Sequence, residues 1–142
     1  MSGSTADKRF IVVLNRGYEL TRLASGLGHV TAGLVACQSA HLDDLAFVEY
    51  KSQDGQVFPW ISDWPFIVLK ARGGQLKTLR TALRERDLPC VTYLDTMLSG
   101  GSRVQQENTA GLPEDQLTLL AVGTFGEREV LAELTKKFSL WA

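Results

Sequence analysis

The sequence predicts a layered α/β fold organised around a central sheet. Apolar runs typical of buried strands alternate along the 142-residue chain with segments of helical periodicity. Apolar residues make up 44% of the composition and charged residues 22%, as in ordinary globular domains. A chain of about this length can bury roughly 68–70% of its unfolded surface, so we expect a core that needs neither a disulfide nor a metal.

The first strand and the first helix are predicted from apolar pattern. Residues 10–14 form a continuous apolar run closed by Asn15, Arg16 and Gly17, typical of a central strand covered on both faces. Residues 19–40 predict a long helix with a buried stripe of Leu20, Leu23, Leu27, Val30, Leu34 and Cys37. Gly26, Gly28 and Gly33 each cost the helix about 1 kcal/mol, so we expect them to permit close approach to the sheet. A helix break at 25–28 is the alternative.

The middle of the chain predicts a hairpin followed by a second buried strand. Residues 45–51 and 56–58 flank an Asp54-Gly55 turn, which is a hairpin signal. Residues 59–65 contain two prolines and two tryptophans, and we expect a loop there. Burial of Trp60 and Trp64 against the sheet is their simplest use. Residues 66–70 are the next strand.

The second half predicts two further strands and two helices. Residues 75–86 form a helix with a core stripe of leucines, and its opposite face carries Lys77, Arg80 and Arg84, which are either solvated or suited to phosphate. Residues 90–94 and 117–122 read as strands, and 127–137 as a charged helix before an apolar tail. Residues 95–113 show no periodicity, which predicts a functional or disordered loop.

Organisation and cysteine usage predict a single cytoplasmic domain. Residues 1–7 read as a disordered tail and residues 8–142 as one domain. Cys37 and Cys90 lie far apart, and two buried, reduced thiols are favoured over one disulfide. No signal peptide is recognisable, and the least polar stretch, 23–37, is shorter than the roughly 20 residues of a membrane span. We therefore expect no membrane partner.

Charge and motifs exclude several function classes. Fifteen basic and sixteen acidic residues give a formal charge of −1, which disfavours a dedicated nucleic-acid binder. The chain contains no GxSxG, P-loop, HExxH or cysteine–histidine metal spacing. We predict neither a cofactor nor a metal.

Candidate site residues follow the predicted strands, because ligands of α/β sheets bind outside strand carboxyl ends. Asn15 and Arg16 come after the first strand, and Asp95 comes after 90–94. Asp95 can orient water or a cation, but spacing alone favours a bond to backbone amides in its turn. Gly100 and Gly101 can present amides to an anion or form a flexible loop tip.

The histidines offer little catalytic signal. His29 lies one residue from the apolar stripe of the first helix, which favours a ring wedged between the helix and the sheet. His41 reads as a surface residue.

The order of elements and several local matches resemble the peptidyl-tRNA hydrolase II family. Five segments resemble successive motifs of that family, and they are RFIVVLN, RLASGLGH (22–29), PFIVLK, LPCVTYLDTMLS (88–99) and QLTLLAVG. More closely, the chain resembles an uncharacterised bacterial branch of the fold, carried as a domain of unknown function. The resemblance implies a three-layer α/β/α arrangement with a mixed central sheet of about four strands, plus an extra segment at 45–64.

The resemblance also implies a site and a reaction. The family's functional positions correspond here to Asp95, Ser99, Thr118, His29 and Arg22. The reaction would be hydrolysis of the ester that joins a peptide to tRNA, with Asp95 orienting water and Arg22 stabilising negative charge. The alternative is a non-catalytic module that binds a small ligand or a protein in the same cleft. A homodimer through the hairpin and the tryptophan loop is a further expectation.

Overall fold

A computed structural model describes residues 7–141, and its strands and helices are as follows. The strands are β1 (Lys8–Asn15), β2 (Phe47–Lys51), β3 (Val57–Ser62), β4 (Phe66–Ala71), β5 (Val91–Leu94), β6 (Leu119–Glu127) and β7 (Ser139–Leu140). The α-helices are α1 (Leu20–Cys37), α2 (Gly73–Glu85), α3 (Ser102–Ala110) and α4 (Arg128–Thr135). Short 3-10 turns cover Ser39–Leu45, Asp95–Met97 and Glu114–Gln116. The predicted tail falls mostly on residues 1–6, which lie outside the described residues.

The central sheet is mixed and has five strands, in the order β5-β6-β1-β4-β7. Strand β1 runs parallel to β4 and antiparallel to β6. We expected about four strands. The difference comes from the apolar tail, where Ser139 and Leu140 pair with Lys70 and Leu69 as a two-residue edge strand.

Strand β1 lies at the centre of three layers, as its unbroken apolar run predicts. Phe10, Val12 and Leu14 pack in the core cluster that contains Leu23, Val30 and Leu34 of α1. Ile11 and Val13 point to the opposite face, into the cluster formed with the leucines of α2 and α4. Because successive side chains of a strand alternate between faces, this one apolar run supplies both cores.

Two of the three glycines of α1 have the predicted role of close approach. A Cβ added at Gly26 would lie 2.7 Å from Cε2 of Tyr93, and one at Gly33 would lie 2.8 Å from Cγ1 of Val91. Both neighbours belong to β5. Gly28 faces open space, so the prediction is wrong for it. The helix runs unbroken through 25–28, which rules out the alternative of a break there.

The hairpin differs from its prediction because β3 continues through the segment expected to be a loop. Pro59 pairs with Glu49 and Ile61 with Val48, so Trp60 is an extra residue in a bulge. Trp60 is 63% exposed, and the expected burial of this side chain against the sheet is wrong. Trp64 is half-buried, and its Nε1–H donates to the carbonyl of Asp44 at 2.7 Å. The two hairpin strands form a separate sheet.

The last long strand also extends beyond its prediction. Strand β6 ends at Glu127, which pairs with Lys8, so β6 accompanies β1 over nearly its whole length. Gly123 allows this strand to lie beneath α1, because a Cβ there would collide with Cγ1 of Val30. None of the helices in the described part of the chain combines the length and the apolar character needed to cross a bilayer.

Candidate functional site

Asn15 joins two strands where β1 ends. Its buried side chain donates from Nδ2 to the carbonyl of Leu119 at 2.9 Å, and its Oδ1 accepts the N–H of Gly17 at 2.9 Å. Arg16 is exposed, and its backbone N–H donates to the carbonyl of Ala71 at 2.8 Å. Asn15 was predicted to bind substrate, but the structure gives both of its polar atoms a backbone partner.

Asp95 and Thr118 lie together at the same edge of the sheet. The N–H of Asp95 donates to the carbonyl of Thr118 at 3.0 Å, and the N–H of Thr118 donates to Oδ1 of Asp95 at 3.3 Å. Both residues are half-buried. Asn15 contacts Leu119, the next residue along β6, so Asn15 and Asp95 bind consecutive residues. The carboxylate of Asp95 therefore has one oxygen engaged by a backbone amide, and its Oδ2 has no hydrogen bond within residues 7–141.

Arg22 and His29 line a cleft on the α1 face of β5, with a volume of about 490 Å³. They share one face of α1 with Ser25, because residues three, four and seven apart stack along a helix. The opposite wall comes from β5, from the turn after it and from α3, and comprises Val91, Thr92, Tyr93, Met97, Leu98, Ser102 and Gln105. The lining contains a guanidinium and an imidazole but no carboxylate, which favours an anionic or polar ligand.

Tyr93 shapes the floor of this cleft. Its ring occupies the space above Gly26 and stacks parallel to the ring of His29, with 6.2 Å between centroids and 6° between planes. Its hydroxyl donates to the carbonyl of Met97 at 2.9 Å, which holds the turn after β5. His29 is exposed rather than wedged against the sheet, so that interpretation is wrong.

The segment 95–113 is ordered as a 3-10 turn followed by helix α3, in place of the expected aperiodic loop. Gln105 connects the two elements, because its Nε2 donates to the carbonyls of Met97 at 3.1 Å and Gly100 at 2.9 Å. Gly100 has a φ of +83°, which favours glycine. No residue of α3 is buried, and this absence of an apolar stripe explains why periodicity did not predict the helix.

The glycine-containing turn lies beside the cleft. Ser99, Gly100 and Gly101 are exposed and do not line the cavity. The carbonyl oxygens of Ser99 and Gly100 face Gln105, and Gly101 precedes the first turn of α3. The cleft itself receives Ser102, the first residue of that helix.

The basic face of α2 is engaged by the protein itself. Nζ of Lys77 donates to the carbonyl of Asp115 at 3.2 Å, and Nη1 of Arg80 pairs with Oε2 of Glu114 at 2.9 Å. Of the three predicted cations, Arg84 is exposed, whereas Lys77 and Arg80 are half-buried. This face therefore holds the turn that leads into β6, a contact that joins residues more than thirty positions apart.

Two groups outside the cleft, Cys90 and Glu133, have perturbed pKa values. Burial raises the pKa of the Cys90 thiol, against a smaller opposing effect of a hydrogen bond with Thr92. A hydrogen bond from Lys136 and its positive charge lower the pKa of Glu133. Cys37 and Cys90 are both free thiols, as predicted, but Cys37 is exposed at the end of α1 and Cys90 is half-buried, so the expected burial of Cys37 is wrong.

Sequence reasoning missed most of the polar lining of the cleft. Ser25 had a usable signal, because it lies three residues after Arg22 on a predicted helix. Thr92, Ser102 and Gln105 had none, since their place depends on how β5 and α3 pack beside α1. Within residues 7–141, no group of three or more metal-ligating side chains is placed to hold a metal.

Comparisons with known proteins describe the fold and give no activity. A family model described as a protein of unknown function, DUF2000, matches residues 8–142. A search of curated proteins finds no match. The solved structure of a protein of unknown function from Agrobacterium tumefaciens is similar, with a TM-score of 0.74 and 20% identity. The similarity covers 96% of this chain and 98% of that one, so the two share a fold over almost their whole lengths.

Proposed function

The chain belongs to the DUF2000 family, and we propose that it is a small hydrolase with a peptidyl-tRNA hydrolase II-like fold, acting on an ester such as peptidyl-tRNA. One observation carries this proposal. Arg22 and His29 of α1, Asp95 and Thr118 come from three distant parts of the sequence, and all four lie near the turn that follows β5. Arg22 and His29 line the cleft with Met97 and Leu98, while Asp95 begins the same turn and contacts Thr118.

The chemistry assigned to these residues follows from their charge and position. Asp95 keeps one carboxylate oxygen on the amide of Thr118, which orients the other oxygen to accept a hydrogen bond from the attacking water. Arg22 stabilises the negative charge that develops on the ester oxygen. Arginine stays protonated, so it acts by charge and hydrogen bonding and does not transfer a proton. His29 and the hydroxyl of Ser25 position the substrate.

A second candidate, binding without turnover, is favoured by the lining of the cleft. The polar lining of the cleft consists of cationic and neutral groups and contains no carboxylate. These groups include those of Arg22, His29, Ser25, Ser102 and Gln105. Asp95 is outside this lining, and its contact with the amide of Thr118 also suits a purely structural role. In this case the protein holds a small anionic ligand in the cleft. The free state of Cys37 and Cys90 supports a reducing compartment, the cytoplasm, for either function.

The test measures hydrolysis of a peptidyl-tRNA analogue at low salt by the wild type, Asp95→Ala and Asp95→Asn. The hydrolase proposal expects turnover that falls by about 10²-fold or more in both Asp95 variants, because neither can polarise water. Asp63→Ala is the matched control, since Asp63 is an exposed aspartate on the hairpin side of the molecule. Circular dichroism verifies that each variant folds.

The outcomes separate the two candidates. Turnover that survives in Asp95→Ala, or its absence in the wild type, refutes the hydrolase proposal. Calorimetric titration with the 3′-terminal aminoacyl nucleotide then tests binding, which Arg22→Ala should weaken about tenfold or more if the guanidinium holds an anionic group. Failure of both measurements removes both candidates.

A further inference from the structure

The β2–β3 hairpin exposes apolar side chains outside the main sheet. Val48 and Tyr50 lie on one face of β2, and their directly opposite partners on β3 are Ile61 and Phe58. Tyr50, Phe58 and Ile61 are 54%, 58% and 55% exposed. An isolated two-stranded hairpin is marginally stable in water and gains stability from further strands. This face therefore has the character of an interaction surface.

The hydrogen-bond alternation of the hairpin shows which of its edges is free. The N–H of Ser52 donates to the carbonyl of Gln56 at 3.0 Å, so the backbone N–H and C=O of Ser52 point toward β3. Because this orientation alternates along a strand, the backbone groups of Tyr50 also point toward β3. The N–H and C=O groups of Glu49 and Lys51 consequently point away from β3. Within residues 7–141 neither residue has a second strand beside it. An edge of this kind is a template for pairing with another strand.

The opposite edge of the hairpin is less suited to pairing. Pro59 is opposite Glu49, so its backbone nitrogen belongs to the outward-pointing set of β3. Proline has no N–H, and at an edge it removes one of the donors that a further strand would need. The adjacent bulge at Trp60 also interrupts the regular strand. The free edge of β2 is thus the one available for a further strand.

We propose that two copies of the chain form a dimer by pairing β2 with β2 of the second copy, antiparallel about a twofold axis at Tyr50. In this register Glu49 of each copy lies opposite Lys51 of the other, so two oppositely charged pairs form. The outward backbone groups of these same residues exchange the inter-strand hydrogen bonds. Registers centred on a neighbouring residue would place Glu49 opposite Glu49, or Lys51 opposite Lys51. Charge therefore selects the register centred on Tyr50.

The contact in this dimer is formed by the backbone edge of β2, the two charge pairs and the two Tyr50 side chains. Tyr50 is 54% exposed and lies at the twofold axis, whereas Phe58 and Ile61 lie on β3, one strand further from the axis. A standard interface buries roughly 800 Å² per partner, and a contact along a single strand edge is smaller, as is typical of a weak dimer. The dimer would hold a four-stranded sheet, in which the apolar faces of both hairpins are continuous and the two Tyr50 rings are cross-strand neighbours.

Sedimentation velocity of the full chain tests the proposal with charge reversal. We expect the wild type to dimerise, and Lys51→Glu to weaken the dimer about tenfold or more, because both charge pairs become repulsive. The double variant Glu49→Lys, Lys51→Glu restores both pairs in reversed order and should recover the wild-type affinity. Lys137→Glu, with the same charge change on a different surface, should leave the dimer intact. Circular dichroism checks folding of each variant.

A cross-link provides a second measurement that does not depend on charge. In a Cys37→Ser background, Tyr50→Cys at the twofold axis should form a disulfide-linked dimer on oxidation, because cross-strand partners lie within disulfide range. Asp54→Cys, at the hairpin turn, should not. A monomeric wild type, a dimer insensitive to Lys51→Glu, or a double variant that stays dissociated would overturn the proposal. Equal cross-linking at both positions would also overturn it.

Discussion

Gly26→Ala is the substitution for which the structure makes the sharpest stability prediction. The added methyl group would lie 2.7 Å from Cε2 and 2.8 Å from Cγ of Tyr93, well inside van der Waals contact. The ring is restrained, because Tyr93 is largely buried at the floor of the cleft and its hydroxyl is bonded to the carbonyl of Met97. Relief of the clash requires the ring to shift against its hydrogen bond or α1 to separate from β5, and overpacking of this kind costs about 1–3 kcal/mol.

Gly28→Ala is the matched control, because no atom lies within 4 Å of a Cβ at Gly28. Both substitutions replace a helical glycine by alanine and gain about 1 kcal/mol of helix propensity. The difference between the two variants therefore measures the clash alone. We expect Gly28→Ala to be more stable than the wild type and Gly26→Ala to be about 1–3 kcal/mol less stable than Gly28→Ala.

The assay is urea unfolding followed by far-ultraviolet circular dichroism. With a slope of about 2 kcal/mol per molar urea, a difference of 2 kcal/mol moves the midpoint by about 1 M. Equal midpoints for Gly26→Ala and Gly28→Ala would refute the close contact between α1 and β5. A lower midpoint for Gly28→Ala would refute the open environment of that residue.

Three further predictions concern polar contacts and the thiols. Asn15→Ala should lower the free energy of unfolding by about 1–3 kcal/mol in urea, because it leaves two backbone groups unpaired; an unchanged value would contradict this. Arg80→Ala should change it by less than about 1 kcal/mol, since its partner Glu114 is 71% exposed and solvent weakens the ion pair, and a larger loss would be inconsistent. Near pH 8 a thiol reagent should modify Cys37 well before Cys90, because burial raises the pKa of Cys90; equal rates would refute the difference. Because the pKa of Cys90 is raised, the free energy of unfolding should also fall as the pH rises from the thiol's ordinary pKa to its pKa in the folded protein. Cys90→Ala should remove this pH dependence.

The layered α/β class was predictable because it depends on local apolar pattern. The run at 10–14 indicated a strand covered on both faces, and β1 does supply both core clusters. The stripe of α1 was correct at Leu23, Val30 and Leu34, although Leu20 and Cys37 at the helix ends are exposed. The fifth strand was missed because a two-residue strand has too little sequence to show alternation.

The candidate site was only partly predictable. Sequence order placed Asn15 and Asp95 after predicted strands, and the family resemblance added Thr118 of the last predicted strand. The structure brings the contacts of these three residues to one edge of the sheet. The assignment of Ser99 to the site remains a prediction from resemblance, since only its carbonyl has a resolved contact, with Gln105 at 3.4 Å. Helix α3 was not predicted because Val104 is its one large apolar residue and is exposed, so the helix has no apolar stripe and is held by Gln105 and neighbouring turns.

The sequence by itself determined which segments are buried, because burial follows from apolar residues at fixed spacing along one element. It also determined where glycine was needed, although not which neighbour required it. Only the tertiary structure decided that Tyr93 lies above Gly26, that Arg22 and His29 share a cleft with Gln105, and that β2 keeps a free edge. These features depend on contacts between elements distant in the chain, and local pattern carries no information about which distant elements meet.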